Sequence, residues 1–361
     1  MQVTDCLAPS YLRLRPFKLE RTDSFPVYRD LVDKLVSALT HPDKTIAHVM
    51  AVCSAYAYSD VQTVTMIMAR MGLEENHCVM IDEYVDALFI TCTSFLIQSK
   101  DGRAAILCYR GTPPTSLISW LTDANIDPTR IEMPSPLADP GEADSGKDYV
   151  HGGFYRNVRS TRYEIFNALK RAIDGASVRP SCAEKLDNKL QALYITGHSL
   201  GAASASMLAL MLVAEPGDHE PIVDRLKAVY TFGGPMLASP DLARDCNQDP
   251  FLGKRVIRYV YANDVVPQLP PVASYPFAHF GTGYQYTRKS RRKGDPDWQQ
   301  NDAPHNQLRS LWSLAAAPLS LVTSDIKKAR RLHFRASLND HLPQHYVDAL
   351  KPKDVRSEFG D

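Results

Sequence analysis

Leu193-Tyr194-Ile195-Thr196 runs into Gly197-His198-Ser199-Leu200-Gly201 and leaves through Ala202-Ala203-Ser204-Ala205-Ser206. An apolar run, a glycine-flanked serine and a stretch of small residues read as strand, sharp turn and helix. In that setting G-x-S-x-G is informative, because the strained turn lifts the serine hydroxyl clear of the sheet. Glycines stand on either side where a side chain would strike neighbouring backbone. The outgoing helix adds partial positive charge at its N-terminus. In a plain loop the same letters give only a helix entry with a capping serine. The strand before and the helix after favour Ser199 as a nucleophile.

Outward from this turn the chain alternates. Leu190–Thr196 reads as a strand, 200–214 as a helix, Leu226–Phe232 as a strand, Pro240–Cys246 as a short helix and Val256–Tyr261 as a strand. That alternation predicts an α/β fold with a mostly parallel sheet and helices on both faces. Right-handed crossovers then bring the C-terminal strand ends to one edge, where sites in open α/β sheets form. The serine turn and the Asn263-Asp264 loop both fall there.

Upstream, sheet-like sequence begins near Asp86: Ala87–Gln98 and Ala104–Tyr109 flank the turn Asp101-Gly102 as a hairpin. Helical spacing runs from Tyr155 to Ile173 and stops at Gly175. Val27, Leu31, Val32, Leu35, Val36 and Leu39 are also helically spaced, and a second periodic stretch spans Thr45 to Met71. Ser59 with Gln62 reads as a capping box that divides it. The expected organisation is a helical extension over 1–80 packed on a catalytic domain over 81–361, with an acidic, proline-rich insertion at 125–148. The tail, 308–350, reads as two helical stretches broken near Pro318.

Over the 361 residues, 41 Lys+Arg balance 41 Asp+Glu, so no global field points to a nucleic-acid partner. The dense basic run Arg288-Lys289-Ser290-Arg291-Arg292-Lys293 reads as a solvated loop, or less often as a contact for anionic headgroups. Seven cysteines without a C-x-x-C pair argue against a zinc site or a disulfide framework. Met1–Pro9 lacks the basic start and apolar core of a secretory signal. No run approaches the roughly 18 apolar residues of a membrane span. A cytoplasmic protein is expected, with peripheral contact to a membrane or lipid-droplet surface as an option.

A serine hydroxyl needs a base, usually histidine, with a carboxylate to fix its tautomer. Asp264 suits the acid, since it follows a strand directly and the prolines 267, 270 and 271 stiffen its loop. Asp224 and Asp241 precede elements instead. Among the downstream histidines 279, 305, 333, 341 and 345, His341 follows a polar break and opens the last helix, and His345 comes one turn later. Position alone leaves these two open. An oxyanion hole needs two backbone N–H groups. Leu200 supplies one, and the loop Tyr109-Arg110-Gly111-Thr112 suits the other.

These motifs, with Trp120-Leu121-Thr122-Asp123, Val150-His151-Gly152-Gly153-Phe154, Thr231-Phe232-Gly233-Gly234-Pro235 and Asn263-Asp264-Val265-Val266-Pro267, resemble the fungal-type (class 3) lipase family of α/β-hydrolases. Asp340-His341-Leu342-Pro343, with Tyr346 and Leu350, is similar to the histidine motif of its diacylglycerol-lipase relatives. The resemblance covers about residues 85 to 350. It implies an α/β-hydrolase fold, with Ser199, Asp264 and His341 as the triad and Thr112 as the oxyanion residue beside Leu200. Ser116–Leu121, with Leu117, Ile118, Trp120 and Leu121, resembles the family's lid helix; a surface helix packed on the core is the plainer reading. Leu311–Val322 is a second stretch that could touch lipid, though core packing suits it better. Met236 departs from the family, which carries arginine there.

The implied activity is hydrolysis of lipid carboxylic esters, of acylglycerol lipase type, through an acyl-enzyme, without metal or organic cofactor. A phospholipase or a short-chain esterase would use the same machinery. A catalytically silent lipase-like scaffold is the alternative of another class. Oligomeric state is not legible.

Overall fold

Ile106 and Cys108 face one side of their strand and Leu107 and Tyr109 the other, and all four are buried. A strand apolar on both faces must be covered on both. The chain arranges its helices to do so. The structure is a computed structural model that describes residues 25–39, 42–85, 90–112, 130–132, 135–136, 148–182, 185–215, 217, 219–270, 276–287, 298–301, 337–353 and 355.

Three helices come first: α1 (Leu31–Ser37), α2 (Lys44–Tyr56) and α3 (Val61–Met71). Then follow β1 (His77–Val85), β2 (Ile90–Gln98), β3 (Ala104–Tyr109) and a small antiparallel pair, β4 (Arg130–Glu132) with β5 (Tyr149–His151). The long α4 (Gly152–Ile173) leads to β6 (Ala192–His198), α5 (Leu200–Ala214), α6 (Glu220–Val223) and β7 (Leu226–Phe232). After α7 (Pro240–Gln248) and α8 (Leu252–Arg255) come β8 (Val256–Tyr261), β9 (Thr282–Tyr286), β10 (Trp298–Gln300) and α9 (Pro343–Leu350).

The main sheet has the order β1-β2-β3-β6-β7-β8-β9-β10 among the described residues. Strands β3, β6, β7, β8 and β9 are parallel, and antiparallel hairpins extend both edges. This is the mostly parallel, doubly covered sheet that the alternation predicts. Registers Tyr109↔Gly197, Gly197↔Thr231 and Phe232↔Tyr259 align the C-terminal ends of β3, β6, β7 and β8. One core joins α4 and α5 to one face through Leu107, Leu193, Ile195 and Val229. The other joins α1, α2, α3 and α9 to the opposite face through Ile106, Tyr194, Tyr230 and Tyr259.

Several local readings change. Helix α3 is capped by Asp60, whose carboxylate accepts from Thr63 N at 2.9 Å, not by Ser59 with Gln62. Strand β1 starts at His77, ahead of the expected sheet onset near Asp86 and across the boundary drawn at residue 80. Strands β9 and β10 were not anticipated, because Thr282–Tyr286 is short and interrupted by Gly283. The lid candidates Leu117, Ile118, Trp120 and Leu121, the basic run 288–293 and the part of the 308–350 tail before residue 337 lie outside the described residues, as does most of 125–148. Met236 lies buried against Tyr149 and Phe277 in a small apolar cluster.

Candidate active site

Strand β6 ends at His198 and α5 begins at Leu200, so one residue makes the whole turn. Ser199 makes it at φ 59° and ψ −130°. An L-residue there is strained, and such strain persists only where surrounding contacts enforce it. The enforcing contacts are visible. A Cβ on Gly197 would come 2.3 Å from Gly201 O, and one on Gly201 would come 2.3 Å from Tyr109 O. Glycine at both positions lets strand, helix and the exit of β3 touch, while Ser199 N donates to Phe232 O at 2.9 Å.

Asp264 follows β8 by a tight turn, with its own N–H donating to Tyr261 O at 3.0 Å. The chain then returns from far downstream. Ser337 N donates to Asn263 O at 2.8 Å, and the Asp340 carboxylate accepts from Asn263 N at 3.0 Å. That strap delivers His341, on the 3-10 turn Asn339–His341, directly to Asp264. His341 Nδ1 lies 3.0 and 2.8 Å from the two carboxylate oxygens of Asp264. A carboxylate only accepts, so Nδ1 carries the proton and Nε2 keeps its lone pair. Asp264 also accepts from Val266 N at 2.9 Å and from the Tyr346 hydroxyl. Burial, then the Asp264 charge, pushes the Tyr346 phenol well above its ordinary pKa, so it stays a donor.

Ser199, Asp264 and His341 are therefore gathered at the C-terminal edge of the sheet, none more than 5 % exposed. Two polar atoms there are buried without a hydrogen-bond partner: Ser199 Oγ and His341 Nε2. Nucleophile–base hydrogen bonds are often long or misaligned without substrate and tighten in the Michaelis complex. Leu200 is the first residue of α5, so its N–H has no partner within the helix. Thr112 lies half-buried on the loop leaving β3. That loop abuts the serine turn, since a Cβ on Gly111 would come 2.6 Å from His198 O.

The rival residues stand elsewhere. His345 stacks on Tyr261 with ring centroids 5.1 Å apart, and His279 Nε2 bonds Pro267 O at 2.7 Å. Asp224 and Asp241 pair with Arg225 and Arg244. His305 and His333 are not among the described residues. Sequence reasoning gave no role to Tyr346, to Gly233 or to His198, whose ring lies 4.5 Å from that of His341. The available signal was Tyr346 itself, which stands with His341 in the histidine motif, on the helix that follows the His341 turn.

Residues 106–274 match the family model described as Lipase (class 3). Over that segment the chain is similar to class 3 lipases. The matched segment holds the serine turn and Asp264 but ends before His341, which joins them through the fold. Among curated relatives, a triacylglycerol lipase (OBL1) of Ricinus communis is 27% identical over 278 residues, 68% of this chain and 50% of the relative. A phospholipase A1-II 1 of Oryza sativa subsp. indica is 28% identical over 179 residues, 46% of this chain and 40% of the relative. The chain thus spans about half the length of the curated relatives it matches. A crystal structure of a lipase from Rhizopus microsporus var. chinensis superposes with a TM-score of 0.52 at 19% identity, covering 85% of this chain and 91% of that one. The likeness is one of fold.

Proposed function

We propose that this protein is a serine hydrolase that cleaves the carboxylic ester bonds of lipids, with acylglycerols or phospholipids as substrates. The observation that carries this reading is the orphaned pair: a serine hydroxyl on a strained turn and an imidazole Nε2 whose other nitrogen is committed to a buried carboxylate. Neither atom has structural work to do, and both have the character that acyl transfer needs. The names of the relatives, triacylglycerol lipase and phospholipase A1, support the substrate class.

In the proposed mechanism Ser199 Oγ attacks the ester carbonyl carbon as His341 Nε2 takes its proton, and Asp264 stabilises the resulting imidazolium. The backbone N–H groups of Leu200 and Thr112 hold the oxyanion. Collapse of the tetrahedral intermediate expels the alcohol, protonated by His341, and leaves an acyl ester on Ser199. Water, deprotonated by His341, then attacks that ester, and its collapse releases the acid and restores the serine. Leu342, beside the base and 41% exposed, would meet the lipid at a membrane or droplet surface. The helices of 1–80 are an extension of the catalytic domain over 81–361, a reading supported by the core that they share with the sheet. Unpaired thiols at Cys53, Cys78, Cys92, Cys108, Cys182 and Cys246 favour a reducing, cytoplasmic setting.

A fluorophosphonate probe tests the activity. The protein is expected to be labelled and to hydrolyse p-nitrophenyl esters, with Ser199→Ala losing the label and more than about a thousandfold of the rate. A folded protein that takes no label and turns over no ester, from acetate to stearate, with or without micelles, would instead be a lipase-like scaffold.

A further inference from the structure

Helices α2 and α3 meet in a turn, Ala57–Asp60, that reaches the candidate active site from the opposite end of the sequence. Its carbonyls take the Arg110 guanidinium: Nε donates to Ala57 O at 2.6 Å and an Nη to Ser59 O at 2.8 Å. Arg110 immediately precedes Gly111 and Thr112, so the turn anchors the loop proposed to hold the oxyanion. Between the two carbonyls, the Tyr58 side chain continues inward. Its hydroxyl lies 2.8 Å from His198 Nδ1, and a Cβ on Gly111 would come 2.2 Å from that same hydroxyl.

The other ring nitrogen of His198 lies 2.7 Å from the backbone carbonyl oxygen of His341. A carbonyl oxygen only accepts, so Nε2 must carry the proton. Burial, then the neighbouring His341, drives the His198 pKa well below the usual imidazole value, so the ring is neutral and Nδ1 is bare. Tyr58 is therefore the donor to Nδ1. A directed chain results, from the Tyr58 hydroxyl through the His198 ring to the His341 main chain. The His198 ring also packs on that of His341, with centroids 4.5 Å apart and planes inclined by 33°.

We infer that Tyr58 and His198 are positioning residues of the esterase site, in which the α2–α3 turn anchors the His198 ring at Nδ1 so that His198 holds the general base His341 in place. This inference rests on the proposed hydrolase reading and adds to it a task for the N-terminal helices. A neutral ring with its donor aimed at the carbonyl fixes the backbone of His341 from one side, while Asp264 fixes the imidazole from the other. With Tyr58 removed, the ring loses its anchor at Nδ1 and is held only through Nε2.

The test is a double-mutant cycle on the full chain with Tyr58→Phe, His198→Leu and both together. Each single change is expected to lower kcat by about ten- to a hundredfold with KM little changed, as for misplacement of a catalytic group. The pair should cost no more than His198→Leu alone, because Tyr58 acts only through that ring. His198→Gln, whose amide supplies both an acceptor and a donor, should recover part of kcat. Independent effects of the two changes, or unaltered kcat in folded variants, would overturn the inference. Nitrogen-15 NMR of the histidine rings gives a second readout without turnover: an Nε2-protonated His198 is expected, whose Nδ1 resonance shifts in Tyr58→Phe as its hydrogen bond is lost. A His198 protonated on Nδ1 in the unmutated chain would overturn the inference as well. A chain unreactive toward esters and probe, yet with the expected ring signals, would sink the hydrolase reading and leave the hydrogen-bond chain standing.

Discussion

Gly233 shows how little room the site leaves at the level of single atoms. It follows β7 at φ 60°, and a Cβ there would come 2.6 Å from Asp264 Oδ2, 2.9 Å from the Tyr346 hydroxyl and 3.0 Å from His341 Nδ1. Only glycine adopts this backbone freely and leaves space for three polar atoms at once. Gly233→Ala is expected to lower stability by about 1–3 kcal/mol and to push the carboxylate away from the imidazole, with a fall in kcat of at least about tenfold. Urea midpoints and ester turnover would show it; an alanine variant with native midpoint and native kcat would mean that the pair is not so confined. Ser199 and Asp264 were legible from residue type and place in the strand pattern. His341 was not, since position left His345 equally open and only the family motif favoured it. What separates the two is orientation: His341 turns toward Asp264, and His345 lies flat on Tyr261.

Helix α2 illustrates what an element hides. Its residues from Ile46 to Ser54 are all buried, because the sheet covers one side and α9 another. Such all-round burial erases the polar face that would mark its orientation in sequence. Its polar members are satisfied internally: the Ser54 hydroxyl lies 2.8 Å from Met50 O and 2.9 Å from Thr196 Oγ1. Its start depends on Asp43, whose carboxylate accepts from Ile46 N at 3.0 Å and whose backbone N–H donates to the Tyr230 hydroxyl at 3.1 Å. Asp43→Ala removes the cap and keeps the backbone bond, so a loss of about 1 kcal/mol in unfolding free energy is expected, with turnover per folded molecule unchanged. A neutral effect on the denaturation midpoint would place helix stability wholly in packing. The central parallel strands were readable because their apolar runs are continuous. Edge strand β1 was not, since Asp82 and Glu83 break its pattern and, among the described residues, it pairs on one side only, with β2.

At the scale of the molecule, equal numbers of acidic and basic residues leave little self-repulsion near neutrality, so acid sensitivity has to come from particular sites. Two histidines supply it. His48 in α2 and His151 at the start of α4 lie on opposite faces of the sheet, and each has its pKa lowered to about 4, chiefly by burial. Their unfolded-state value is about 6.5. Between these values the unfolded chain binds more protons than the folded one, so stability must rise with pH through that window. It is fully present above about pH 6.5 and drains away as pH falls toward 4. Each histidine contributes a slope of at most about 1.4 kcal/mol per pH unit. Other groups titrate in the same range, so the informative measurement is a difference between variants. His48→Asn keeps a side-chain partner for the Tyr28 hydroxyl, which now bonds Nδ1 at 2.9 Å, and it cannot take up the proton. Unfolding free energies from pH 7.5 down to 4.5 should therefore fall less steeply for this variant, by the equivalent of nearly one proton at the acidic end. Parallel curves for the two proteins would mean that His48 titrates alike in the folded and unfolded states, and that α2 does not seal it from water as the core implies.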